Sequence, residues 1–156
     1  MNDLIFWRHA EAEDFSPSGL DTDRVLTKRG YQDAAKMAKW LNKRLPSVTL
    51  ALVSPAQRCQ QTAAALLAQR DLEIKIEEFL SINSSPQRIQ RELANHSSAE
   101  TLLVVGHQPN LGILIAQNLG MPESALSVKK GAIWWLRKRG GFGVARYKIH
   151  MVMVPD

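Results

Sequence analysis

The sequence predicts an α/β fold, a single three-layer domain with a mostly parallel central sheet and helices on both faces. Its 156 residues are enough for one domain with a sizeable core. Several short apolar runs show no alternation, which is typical of strands buried on both faces. These runs alternate with amphipathic segments in the order β-α-β-α-β-α-β-α-β-β, and such alternation favours a parallel sheet.

The first half of the chain contains three predicted strands and two predicted helices. The strands cover residues 4–7, 50–53 and 74–76. In LTKRGYQDAAKMAKWLNKRL, apolar residues recur every three or four positions, which predicts an amphipathic helix with Thr27 as its N-cap and an end at Pro46. The segment SPAQRCQQTAAALLAQ predicts a second helix, with Ser54 as N-cap and Pro55 at the first helical position.

The second half contains two more predicted helices and three more strands. Residues 86–95 are predicted to be helical, and residues 101–105 form the most hydrophobic strand candidate. In GHQPNLGILIAQNLG the chain passes directly from that strand into another helix. Residues 132–136 and 146–154 are predicted strands, joined by the glycine-rich turn GGFG.

Composition limits the classes of function. Hydrophobic residues make up 45% and charged residues 22%, as in soluble globular proteins. The net charge of +5 is compatible with a phosphate pocket or an acidic partner, but the basic residues are scattered, so no nucleic acid is expected. The single cysteine excludes an intrachain disulfide, no apolar run reaches membrane length, and no signal peptide is expected. A cytoplasmic, monomeric protein without membrane contact is therefore expected.

Four side chains follow the ends of predicted strands. Arg8 and His9 come directly after the first strand, Arg58 lies one helical turn beyond the second, and His107 follows the strand at 101–105. In folds of this class, ligands bind at the carboxyl ends of the strands. If the three strands are neighbours, the two arginines and two histidines converge.

The chemistry that suits such a cluster is phosphoryl transfer. The arginine guanidinium binds phosphate oxygens through two parallel hydrogen bonds. A neutral imidazole attacks phosphorus, and nearby cations keep it neutral by lowering its pKa. A second histidine donates to an oxygen that gains charge in the transition state. The remaining candidates, Cys59, His96 and His150, have simpler structural interpretations.

Several motifs resemble those of the histidine phosphatases, the phosphoglycerate-mutase-like superfamily. Arg8-His9-Ala10 stands where that family has Arg-His-Gly. The segments RVLTKRGYQDAAKMAKWL, VSPAQRCQQTA and LLVVGHQPNLG are similar to its Leu-Thr-x-x-Gly, Ser-Pro-x-x-Arg-x-x-Gln-Thr and Val-x-His motifs. The matches span residues 1–120 in the expected order. The short chain and the Arg-His-Ala form resemble the SixA-type phosphohistidine phosphatase branch.

This resemblance implies a phosphoglycerate-mutase-like fold and one histidine phosphatase domain over residues 1–156. It implies His9 as the nucleophile that becomes phosphorylated. Arg8, Arg58 and His107 would hold the phosphoryl group, and Arg24 would line the mouth of the site. It implies no metal and no cofactor.

One departure bears on the substrate. Larger relatives supply a carboxylic acid as proton donor, often from an insertion after the third strand. Here that region reads IEEFLSINSSPQRI, with no insertion and no acids beyond Glu77 and Glu78. The P–N bond of phosphohistidine is weaker than a phosphate ester and needs less help from an acid. The sequence therefore favours a phosphohistidine-containing protein as substrate, with Glu11, Glu13 and Asp14 as solvated loop charges.

Three alternatives stay open. The chain could be a small-molecule phosphomonoesterase with Glu77 or Glu78 as proton donor. It could be a binding module that keeps a phosphate pocket without turnover. A basic nucleic-acid binder is the weakest of the three, because the chain has no dense basic block.

Overall fold

A six-stranded mixed sheet forms the centre of the protein. Its strands are β1 (Asp3–Arg8), β2 (Leu50–Val53), β3 (Glu73–Ile76), β4 (Thr101–Gly106), β5 (Ile133–Lys138) and β6 (Tyr147–Met153), in the order β3-β2-β4-β1-β5-β6. The structure is a computed structural model and describes residues 1–122, 126–140 and 146–156. Five strands run in the same direction, and β5 is antiparallel to its neighbours β1 and β6. The mostly parallel sheet predicted from the sequence is therefore confirmed.

Helices cover both faces of this sheet, which completes the three predicted layers. The helices are α1 (Lys28–Asn42), α2 (Gln57–Leu67), α3 (Pro86–Ala94) and α4 (Asn110–Leu119). On one face, apolar side chains of α1 and α2 pack against Ile5 and Trp7 of β1. On the other face, α3 and α4 pack against Leu4 and Phe6 of the same strand. Alternate residues of β1 thus enter opposite cores, as the pleat of a strand requires.

The start of α1 is fixed by a cap and by a close backbone approach. The Thr27 hydroxyl accepts a hydrogen bond from the Gly30 backbone N–H at 2.9 Å, which confirms the predicted N-cap. The Glu11 carbonyl oxygen packs against Gly30 so closely that an added Cβ would lie 2.0 Å from it. A glycine is therefore required at this position, and the contact binds the loop after β1 to the first turn of α1.

The predicted cap of α2 is wrong. The helix begins at Gln57 with Ala56 as its N-cap residue, two positions later than expected from Ser54 and Pro55. The Ser54 hydroxyl lies 2.8 Å from His107 Nε2 and also accepts a hydrogen bond from the Ala56 backbone N–H. Ser54 therefore makes a tertiary contact with His107 and is not the N-cap residue of α2. Ser85, by contrast, caps α3 through the Arg88 backbone N–H.

Two further observations concern the chain as a whole. No helix among residues 1–122, 126–140 and 146–156 combines the length and apolarity needed to cross a bilayer. The predicted glycine-rich turn between β5 and β6 includes residues 141–143, which lie outside the described residues.

Candidate active site

The three strands that carry the candidate residues are neighbours in the centre of the sheet. Trp7 of β1 and Val53 of β2 both pair with Val105 of β4, so the carboxyl ends of the strands lie side by side. The His9 backbone N–H donates to the Gly106 carbonyl at 3.1 Å, and the His9 carbonyl accepts from the Gly131 N–H at 3.0 Å. The backbone of His9 is therefore held from both sides of β1.

His9 is a buried, neutral imidazole with a defined tautomer. Its side chain is only 6% exposed, and its Nδ1 lies 2.7 Å from the Ala10 carbonyl oxygen. Because a carbonyl only accepts, Nδ1 carries the proton and Nε2 keeps its lone pair. Burial lowers the pKa of His9 to about 3; the bond to Ala10 opposes that shift, and the charges of His107, Arg58 and Arg8 reinforce it.

His107 faces His9 across the site. The two ring centroids lie 5.4 Å apart in an edge-to-face arrangement. Nη2 of Arg58 lies 3.4 Å from Nδ1 of His107, and a guanidinium only donates, so the neutral ring carries its proton on Nε2 and donates to Ser54. Burial and the charge of Arg58 lower the pKa of His107 to about 4. Both histidines are therefore neutral near pH 7.

The two arginines approach from different elements. Arg58 enters from the first turn of α2 and is 1% exposed, whereas Arg8 ends β1 and donates from Nη1 to the Val128 carbonyl at 2.8 Å. Burial and the charge of Arg58 lower the pKa of Arg8. In the described part of the chain, Nε of Arg8 and Nε of Arg58 are buried donors without a hydrogen-bond partner. An oxyanion is the kind of ligand that would satisfy such donors.

Asp21 belongs to this site, although the sequence interpretation did not single it out. Its carboxylate lies 2.9 Å from Nη2 of Arg58, and its backbone carbonyl accepts from Nη1 at 2.8 Å. The second carboxylate oxygen lies 2.9 Å from Nη1 of Arg24. Burial would raise the pKa of Asp21, but hydrogen bonds from Arg24 and Arg58 outweigh it and lower the pKa. The three-residue spacing of Asp21 and Arg24 is the signal that could have indicated this pair.

The structure thus brings the predicted residues together to different degrees. His9, His107 and Arg58 form one contact cluster, and Arg8 is coupled to them through its charge. Arg24 contacts Asp21 at the outer side of the site, and its charge also lowers the pKa of His107.

The other candidate side chains take no comparable position. Cys59 is fully buried, and burial raises the pKa of its thiol to about 12, so it is no nucleophile at neutral pH. Glu77 and Glu78 follow β3, and neither carboxylate pairs with another described residue. Over the described ranges, no group of three or more His, Cys, Asp or Glu side chains is arranged to hold a metal ion.

The arrangement fits nucleophilic phosphoryl transfer. A neutral imidazole with a free Nε2 lies beside a second neutral imidazole and two guanidinium groups. Guanidinium cations can stabilise the negative charge of a phosphoryl group, and burial keeps the His9 imidazole unprotonated.

At the sequence level, residues 4–81 match the histidine phosphatase superfamily, branch 1. This match covers half of the 156 residues and includes Arg8, His9, Arg24 and Arg58. No curated protein matches the chain.

Solved structures share the fold at low sequence identity. A protein from Agrobacterium tumefaciens, provisionally named phosphohistidine phosphatase SixA, is 22% identical, with a TM-score of 0.86 over 99% of this chain and 98% of its own. The protein histidine phosphatase SixA in complex with tungstate is 21% identical, with a TM-score of 0.82 over 98% and 97%. A protein from Escherichia coli, provisionally named α-ribazole-5′-P phosphatase, is 22% identical, with a TM-score of 0.78 over 99% and 98%. The phosphoglycerate-mutase-like fold expected from the sequence is confirmed.

Proposed function

Because the chain belongs to the histidine phosphatase superfamily, branch 1, we propose that it hydrolyses phosphohistidine on a partner protein through a phosphorylated His9. One observation carries this proposal. His9 presents an unprotonated Nε2 next to His107 and Arg58, with Nδ1 fixed on the Ala10 carbonyl. The tungstate complex of the SixA structure supports an oxyanion as the ligand of this kind of site.

The first step transfers the phosphoryl group to the enzyme. The Nε2 lone pair of His9 attacks phosphorus, a new N–P bond forms, and the N–P bond of the substrate breaks. The substrate imidazole leaves with the electron pair of that bond and takes a proton from solvent. Arg8 and Arg58 compensate the charge on the phosphoryl oxygens during the transfer. The anionic group raises the pKa of His107, which takes up a proton from solvent on Nδ1 and donates it in a hydrogen bond to a phosphoryl oxygen.

The second step releases phosphate. A water molecule attacks the phosphorus of phosphorylated His9, an O–P bond forms, the N–P bond breaks, and Nε2 recovers its lone pair. The protons of the water leave with the phosphate. The Nδ1 hydrogen bond to Ala10 keeps the ring in one orientation through both steps. Inorganic phosphate is the product, and no cofactor takes part in either step.

The state of the carboxylates supports a P–N substrate over a phosphate ester. An alkoxide leaving group needs a proton from a carboxylic acid. Asp21 contacts Arg58, but its lowered pKa keeps it ionised, so it is a poor proton donor. An imidazole leaving group departs without such a donor, because it is protonated readily by water near neutral pH.

A small-molecule phosphomonoester is the second candidate substrate. The structural similarity to the E. coli protein named for α-ribazole-5′-P favours it. Glu77 or Glu78 would then supply the proton from the end of β3. This assignment requires one of those carboxylates to reach the leaving group when the substrate is bound.

A substrate comparison tests the proposal. The enzyme is incubated separately with four substrates, and released phosphate is measured. The substrates are a protein whose histidine has been phosphorylated chemically by phosphoramidate, phosphoramidate itself, p-nitrophenyl phosphate and a sugar phosphate. We expect turnover of the two P–N compounds, and an acid-labile phosphoenzyme in wild type that is absent from His9→Asn. His96→Asn is the matched control and should behave as wild type. Turnover confined to phosphomonoesters would overturn the phosphohistidine assignment. Equal rates of phosphate release in wild type and His9→Asn would overturn the role of His9 as the catalytic nucleophile.

A further inference from the structure

The loop at residues 13–25, here the mouth loop, is closed at its base by backbone pairing. Ala12 and Leu26 form an isolated antiparallel bridge. The Glu13 backbone N–H donates to the Val25 carbonyl at 2.8 Å. The two ends of the loop are therefore held next to each other, and the intervening residues form one projection.

Hydrogen bonds inside the mouth loop fix its shape. The Ser16 hydroxyl donates to the Leu20 carbonyl at 2.7 Å, and the Ser18 hydroxyl donates to the Asp23 carboxylate at 2.7 Å. Gly19 adopts a φ of +78°, a left-handed conformation that favours glycine. A loop bonded in this way presents its outward side chains in defined positions and loses little entropy when a partner binds.

This ordered loop exposes large apolar side chains. Phe15 is 87% exposed and Leu20 60% exposed. Together with Asp14, Ser16, Gly19, Asp21 and Arg24, they line a surface cavity of about 170 Å³. This volume is large enough for one apolar side chain of another molecule. Burial of two large apolar groups on a fixed loop is a typical source of binding energy at a protein interface.

The mouth loop is continuous with the phosphate pocket. Asp21 lies in the loop and also binds the buried Arg58 through its carboxylate and its carbonyl. A molecule whose phosphoryl group reaches Arg58 must therefore pass beside the loop. His9 is 6% exposed, so the phosphorylated side chain of a partner has to extend inward to reach it while the partner's surface contacts the mouth loop.

The charge of the mouth loop restricts the partner further. The loop contains the carboxylates of Glu13, Asp14, Asp21 and Asp23 and one arginine, although the whole chain carries a net charge of +5. Asp21 is paired with Arg24 and Arg58, and the other three carboxylates form no salt bridge with a described residue. The acidic mouth loop, here also called the rim, disfavours the binding of small substrates whose only contact is a phosphate. It favours the binding of a protein surface with basic side chains.

From these contacts we infer that the mouth loop docks a protein segment carrying apolar and basic side chains directly beside its phosphohistidine. This inference rests on the proposed function and adds the chemistry of the surface that surrounds the phosphorylated residue. An apolar side chain of the segment fills the cavity between Phe15 and Leu20. Its basic side chains face the carboxylates of the rim.

Two synthetic phosphohistidine peptides test this docking. One has leucine and lysine flanking the phosphohistidine, and the other has serine and glutamate in the same positions. We expect wild type to prefer the leucine–lysine peptide by about tenfold in kcat/KM, the scale of one buried apolar side chain. Leu20→Ser and Phe15→Ser should each reduce that preference below about threefold and leave phosphoramidate turnover within about twofold of wild type. Val48→Ser is the matched control, because Val48 is 81% exposed and lines a separate cavity with Asn2 and Glu100.

The outcomes separate this inference from the proposed function. Equal kcat/KM for the two peptides in wild type, or a preference that survives both substitutions, would overturn the docking surface while phosphohistidine turnover stands. Failure to release phosphate from either peptide or from phosphoramidate would instead overturn the proposed function. Concentration-dependent dimerisation that Leu20→Ser abolishes would assign the mouth loop to a second copy of the chain.

Discussion

Asp21 holds the guanidinium of Arg58 with two different oxygens, its carboxylate at 2.9 Å from Nη2 and its backbone carbonyl at 2.8 Å from Nη1. The carboxylate also binds Arg24, so one acid joins the buried arginine of the site to an arginine at its outer side. This acid keeps two arginines with like charge at a fixed separation, which would be unfavourable without it.

Substitution of Asp21 is expected to slow catalysis without unfolding the protein. Asp21→Asn keeps the backbone contact but removes the charge that fixes Arg58, so kcat/KM for phosphoramidate should fall by about tenfold. Asp23→Asn is the control, because Asp23 lies in the same turn and, among the described residues, its carboxylate accepts a hydrogen bond only from Ser18. Equal kcat/KM in wild type and Asp21→Asn would contradict this positioning role.

Removal of the Arg58 guanidinium should be more damaging. Arg58→Ala is expected to lower kcat by about a hundredfold or more, the cost of losing one preorganised donor in the transition state. Arg29→Ala removes an exposed arginine paired with Asp33 and should keep wild-type rates. Steady-state kinetics with phosphoramidate and circular dichroism of both variants are the measurements. An active Arg58→Ala enzyme would show that Arg58 does not hold the phosphoryl group.

Cys59 should be dispensable for catalysis, even though its sulfur lies 3.6 Å from Nε2 of His107. Burial raises the pKa of this thiol to about 12, so it stays protonated and unreactive. Cys59→Ala is therefore expected to keep kcat/KM within about twofold, at a stability cost of about 1 kcal/mol for the small cavity. Thermal unfolding and phosphate release measure the two effects. A tenfold loss of activity in a folded variant would assign the sulfur a part in the site.

The pH dependence of His9 follows from its lowered pKa. An imidazole with a pKa of about 3 instead of 6.5 stays neutral on acidification, and the nucleophile is lost only as the pH falls through about 3. The ring nitrogen shifts of His9, followed by ¹⁵N NMR, should therefore stay constant from pH 7 down to about pH 5. The spectrum of His9→Asn identifies the resonance. A titration midpoint near the ordinary value of 6.5 would show that the ring is hydrated and that burial does not control its charge.

Much of the fold followed from local patterns in the sequence. Non-alternating apolar runs predicted the buried strands, and the period of α1 predicted a helix that begins after Thr27. The order of the strands did not follow from these patterns. β1 and β4 are direct neighbours although almost 100 residues separate them, and periodicity carries no information about such pairing.

The same limit explains what was missed in the site. Arg8, His9 and His107 stand at strand ends, where a general rule for parallel sheets directs attention. Asp21 lies among other acids in a polar loop, and its partner Arg58 is 37 residues away. Ser54 stands before a proline, as an N-cap residue often does. Its contact with His107 depends on the tertiary structure and cannot be read from the local sequence.

The backbone of His9 is bonded to Gly106 on one side and to Gly131 on the other. The proposed nucleophile is consequently held by the backbone directly beyond the end of β1, and its alignment is completed when the chain folds instead of when substrate arrives. Enzymes that assemble their sites on mobile elements can gain activity when those elements become more flexible. In this protein, flexibility at His9 would require the hydrogen bonds beside the sheet to break. Loss of activity and unfolding of the core should therefore occur at the same temperature.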